Sequence, residues 1–131
     1  MSFFHSFDEF DHLEENLIAI MKQATYIENM LISNSGVPFC EKKLTVSLAL
    51  IANHLKNITL VHRVSNFEHT MVKLLETFQI RMSEFFVLAK KKMTDSNYIH
   101  DEFFYNNLLN QFHEIQNHLP DYIHENYKYL L

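Results

Sequence analysis

The chain has 131 residues, a formal net charge of −5 and a hydrophobic content of 47%, the size of one domain with enough apolar material to fill a core without disulfide or metal staples. One Gly and two Pro in the whole chain cannot supply the turns that sandwiches and barrels need about every eight to twelve residues, nor a glycine loop to cradle phosphate. The acidic balance argues against nucleic acid as the main partner.

The elements follow in chain order. Ser6-Phe7-Asp8-Glu9 has the form of a capping box, which predicts a first helix over about 6–33. Phe10, Leu13, Leu17, Ile20, Ala24, Ile27 and Leu31 give it one apolar face. Asn34-Ser35-Gly36-Val37-Pro38 reads as the stop, with Pro38 in the first turn of a second helix over 39–64. That second helix places Leu44, Leu48, Ile51, Leu55, Ile58 and His62 on one stripe. Val46, Ala49, Leu50, Leu60 and Val61 make much of its remaining surface apolar, so it is expected to be wrapped by neighbours. Its polar stripe carries Asn53, Lys56 and Asn57, with His54 beside it.

Ser65-Asn66-Phe67-Glu68 is a second capping box and predicts a third helix over 66–93, close behind the second and antiparallel to it. Phe67, Met71, Leu74, Phe78, Phe85 and Leu88 form its inner face, widened by Val72, Leu75, Met82 and Phe86. Thr94-Asp95-Ser96-Asn97 reads as a polar loop, followed by a fourth helix over 97–119 with Tyr98, Tyr105, Leu108, Phe112, Ile115 and Leu119 facing inward. Asp101 and Glu102 fall in its expected first turn. Pro120 ends it, and 121–130 reads as a short fifth helix or kinked extension. The expected fold is all-α, a single up-down-up-down four-helix bundle over residues 1–131. The rival is a pair of helical hairpins completed by dimerisation, with Phe3, Phe4, Tyr127, Tyr129 and Leu130 as a terminal interface.

Cys40 is the one cysteine. It excludes an intramolecular disulfide and points to a reducing compartment, hence a cytoplasmic protein. No signal-peptide pattern opens the chain and no apolar run approaches the roughly eighteen residues of a membrane span, so no membrane association is expected.

Nine His invite a metal hypothesis, but a di-metal bundle needs inward Glu-x-x-His motifs on two helices. Glu9-x-x-His12 occurs once, with His12 expected to face outward. Asp121-x-x-His124 lies beyond Pro120. No metal ligands, catalytic residues or cofactor are therefore assigned. Arg63 and His69 loosely resemble the Arg-x4-6-His motif of the HEPN-family helical ribonucleases, without a basic cradle for RNA.

Ala52-Asn53-His54-Leu55-Lys56-Asn57 resembles the acceptor segment of histidine phosphotransfer domains, four-helix bundles whose motif is Ala-His-x-Leu-Lys-Gly. Ala52, Leu55 and Lys56 match. Asn53 stands at the acceptor position, Asn57 at the close-approach glycine and Arg63 at the second glycine. In that register the resemblance implies a pseudo-phosphotransfer protein. With His54 as acceptor, Leu55 and Lys56 each fall one residue early.

The expected function is that of a non-enzymatic bundle acting on a protein partner, as an adaptor, chaperone-like or regulatory protein. Asn53, His54, Lys56 and Asn57 are its candidate partner face. Phosphotransfer-like signalling on that face is the alternative, and a His-rich metal-binding bundle the third reading.

Overall fold

The computed structural model describes residues 2–32, 35–64 and 69–119, with side chains over 12–32, 35–60 and 69–119. Within them stand α1 (Ser2–Leu31), α2 (Glu41–Val64), α3 (His69–Thr94) and α4 (Phe103–Asn117), and no strand is present among the described residues. The most extensive contacts pair α1 with α2 and α3 with α4. Lesser contacts join α1 to α4 and α2 to α3, and the weakest crosses the α1–α3 diagonal. The short connections make each helix antiparallel to the next, so the four close as an up-down-up-down bundle.

The core is the sum of the predicted stripes. Leu13, Leu17, Ile20, Ala24 and Ile27 on α1 are completely buried, and Leu44, Ile51 and Ile58 meet them from α2. From the other hairpin come Phe78, Met82 and Phe85 on α3, and Leu108 and Ile115 on α4. Each such large aliphatic or aromatic side chain contributes about 1.5–3 kcal/mol by leaving water. On α3 the centre of the face runs through Leu75 and Met82, and Leu74 is half-buried beside it.

Several expectations are corrected. α1 begins at Ser2, because nothing between Ser2 and Ser6 breaks a helix; Ser6 is therefore an interior residue and not a cap. α2 begins at Glu41. Pro38 lies ahead of it in non-helical chain, and the first bond of the helix runs from the Leu44 N–H to the Cys40 carbonyl at 2.9 Å. Gly36 takes a φ of +81°, a left-handed conformation that turns the chain between α1 and α2. α4 begins at Phe103 rather than near residue 97. The Asp95 carboxylate accepts from the Asn97 N–H and the Asp101 carboxylate from the Phe103 N–H, both at 2.9 Å. These local turns take the backbone bonds a longer helix would have used. Asp101 and Glu102 therefore precede α4 rather than forming its first turn, and Tyr98 packs on the core from the connection.

The wrapping expected for α2 does not hold. Val46, Leu50 and Leu60 are 58%, 42% and 50% exposed. α2 shares its broad contact with α1 alone, and its approach to α3 is slight. The Ser65–Glu68 capping box and the proposed fifth helix lie outside the described residues, as does the side chain of His62.

Candidate functional site

The candidate face divides in two. Asn53 and Lys56 are exposed on the outside of α2. His54 and Asn57, half-buried, turn into the seam with α1, because the helical offset of one residue swings their side chains toward that neighbour. There they meet Asn16, which is 5% exposed. The Asn16 amide nitrogen donates to the His12 carbonyl at 2.8 Å, which directs its oxygen at α2. That oxygen accepts from His54 Nδ1 at 2.9 Å and from the Asn57 amide at 3.3 Å. An amide oxygen only accepts, so Nδ1 carries a proton, and in the neutral form of the ring the lone pair lies on Nε2.

A second polar cluster, absent from the sequence expectations, ties α1 to the α3–α4 connection. Glu28, 4% exposed, accepts on Oε2 from His100 Nε2 at 2.7 Å. The other ring nitrogen, Nδ1, is 2.7 Å from the Tyr98 hydroxyl. Burial pushes the Glu28 carboxyl above its ordinary value. The His100 hydrogen bond and charge pull it back, and Glu102 and Asp101 add to the rise. Burial, followed by the charges of Glu28 and Asp101, pushes Tyr98 up to about 12. Lys92 stands over the Tyr98 ring at 5.2 Å and the Phe39 ring at 5.5 Å, holding the chain just ahead of α2 and the α3–α4 connection to the end of α3. The one sequence signal for this cluster was the place of Glu28 on α1, beside Ile27 at the edge of the apolar stripe.

Other polar pairs pin further seams. The Gln79 amide donates to the Thr59 hydroxyl at 2.9 Å between α3 and α2, and the Thr25 and Tyr105 hydroxyls are 2.9 Å apart between α1 and α4. Such bonds fix the register of packed helices, which apolar contact alone leaves freer to slide.

Among the described residues no group of three or more His, Cys, Asp or Glu gathers to hold a metal ion. His12 is exposed, as expected. His118 Nδ1 bonds the Glu114 backbone carbonyl at 2.9 Å rather than pairing with its carboxylate. Cys40 is a half-exposed free thiol at the start of α2. Phe3 and Phe4 lie on α1, but their side chains, like Tyr127, Tyr129 and Leu130, are outside what the structure describes. No helix among the described residues is long and apolar enough to cross a membrane.

The described chain is thus an all-α bundle whose seams carry polar ties, with exposed apolar side chains on α2 (Val46, Leu50 and Leu60) and on α3 (Ile80 and Val87). Comparison with protein-family models, with curated proteins and with solved structures finds no significant match.

Proposed function

We propose that this bundle is a non-enzymatic protein that works by binding another protein through the outer surface of α2. The observation that carries this is the exposure of Val46, Leu50 and Leu60, at 58%, 42% and 50%. On a helix these positions fall on one side, with Asn53 between them and Lys56 at the margin. An apolar stripe with a polar margin, on a helix already anchored by its opposite face, is the pattern of a docking surface. The test compares proteins co-purifying from the native cell with wild-type chain and with Leu50→Glu. The expected result is loss of a specific partner with the folded state unchanged. Identical captured sets would end the proposal.

His54 supports a second reading, phosphotransfer-like signalling. Its Nδ1 bond to Asn16 fixes the ring and leaves Nε2 as a lone-pair nitrogen on a half-exposed side chain, the atom a phosphoryl acceptor would present. Incubation with a receiver protein carrying an aspartyl phosphate tests it. Label on wild type and none on His54→Gln is the supporting outcome. No label, together with no binding to the receiver, removes both the active and the inactive version.

A further inference from the structure

The groove between α2 and α3 carries a chemistry that specifies its occupant. The inference rests on the binding role proposed for α2 and narrows it to one kind of partner. Leu48, Phe86 and Met93 line the groove together with Ala49 and Ala52, whose small side chains keep it low. At Thr45 it joins a second open depression that reaches back to Cys40 and out to Val46. The two follow α2 from its first turn to Ala52, about 16 Å along the helix axis. No strand edge exists among the described residues, so an extended segment would find no backbone ladder to join. A helix brings its own hydrogen bonds and needs only an apolar trough.

Lys42 lines the outer depression beside Glu41, and Lys90 lines the groove itself. Lys43 is also exposed at this end of α2, whereas Lys91 belongs to a separate depression between α3 and α4, beside Glu84 and Phe104. Lys91 and Lys92 suit the C-terminal end of α3, where the helix dipole favours cations. Lys42 and Lys43 do the opposite. They occupy the first turn of α2, where the dipole disfavours positive charge, so the helix they belong to gains nothing from them. Against the one carboxylate of the lining, Glu41, stand Lys42 and Lys90, which in a chain of net charge −5 leave the trough complementary to carboxylates.

We propose that the α2–α3 groove accepts an amphipathic helix of a partner protein, apolar along one stripe and acidic on its flanks, with carboxylates facing Lys42 and Lys90. The floor of the groove lies between two helices, where the larger Leu48, Phe86 and Met93 flank the small Ala49 and Ala52, a shape a helix fits and a flat bilayer matches poorly.

The test displays a library of helix-biased peptides of about 16 residues, a length that spans the groove, to the full chain. The enriched peptides are expected to carry apolar residues at i, i+3, i+4 and i+7 and an excess of Asp and Glu. Their affinity is expected to fall about tenfold in the double variant Lys42→Glu/Lys90→Glu, the size of two exposed ion pairs lost and made repulsive, and to weaken with salt. Ala52→Trp, at an exposed position, is expected to abolish binding while leaving the thermal unfolding midpoint in place. Enrichment of neutral or basic peptides overturns the proposal, as does unchanged affinity in the charge-reversed variant. So does binding of vesicles containing anionic lipid in preference to peptides, or a dimer in light scattering that Ala52→Trp dissociates. A cellular partner lost with Leu50→Glu but retained by the lysine double variant overturns this inference and leaves the broader binding role standing. A partner retained by both sinks the two together.

Discussion

His100 Nε2 stands 2.7 Å from the Glu28 carboxylate, across 72 positions of sequence. The bond closes the α3–α4 connection onto α1, and it does so with a carboxyl that is 4% exposed. A buried carboxylate is tolerated only while a donor faces it.

His100→Ala is therefore expected to destabilise the bundle by about 2–4 kcal/mol, since it leaves the buried Glu28 carboxylate without its donor. Adding Glu28→Leu to that variant is expected to restore most of the loss, because an apolar pair has no charge to satisfy. Urea unfolding of the single and double variants measures both. Equal stability of the two would mean that the bond is not what makes the site costly to disturb.

The same carboxyl sets a pH dependence. Burial raises Glu28 above its ordinary 4.5, so the folded chain binds this proton more tightly than the unfolded chain. The stability linked to it is complete below pH 4.5 and is lost as the pH rises through the folded value. Glu28→Gln has no such proton. Wild type is expected to lose stability relative to Glu28→Gln as pH rises above 4.5, read from unfolding midpoints across the acid range. A constant gap between the two would contradict the raised value.

Asn16 is the hub of the α1–α2 seam. Asn16→Ala removes the acceptor shared by His54 and Asn57 and is expected to cost about 1–3 kcal/mol. Nitrogen-detected NMR of His54 at neutral pH is expected to find the proton on Nδ1 in wild type. In Asn16→Ala the ring is expected to shift toward the Nε2–H form usual for a free imidazole. The Nε2–H form in the wild-type chain would contradict the bond as assigned.

Adjacent residues on α2 are expected to respond in opposite ways. Ile51 is completely buried and Leu50 is 42% exposed. Ile51→Ala is expected to cost about 2–5 kcal/mol through lost burial and the cavity left behind. Leu50→Lys is expected to stay within about 0.5 kcal/mol of wild type. Thermal unfolding of both tests whether the outer stripe of α2 is free of any role in the fold.

Much of the fold was legible before any coordinates. The scarcity of Gly and Pro excluded sheets, and the three-and-four spacing of Leu13 to Leu31, Leu44 to Ile58 and Leu108 to Leu119 named core positions, because burial on a helix repeats with the helix itself. The start of α4 was not legible. Tyr98 continues the apolar spacing, but the Asp95 and Asp101 side chains compete for the backbone, and periodicity does not report that competition. The candidate site was half legible. The polar stripe on α2 identified Asn53, His54, Lys56 and Asn57, but not that two of them turn inward.

What the sequence determined by itself is the helical class and the identity of the buried stripes, since both are local consequences of residue type and spacing. What only the tertiary structure decided is which polar side chains face each other. Asn16 meets His54 and Glu28 meets His100 because antiparallel packing sets the register between helices, and register is a property of pairs of elements that no single stretch encodes. The same holds for α2. Its apolar flank reads in sequence as buried, and it is exposed because α3 packs mainly against α4, leaving Val46, Leu50 and Leu60 uncovered.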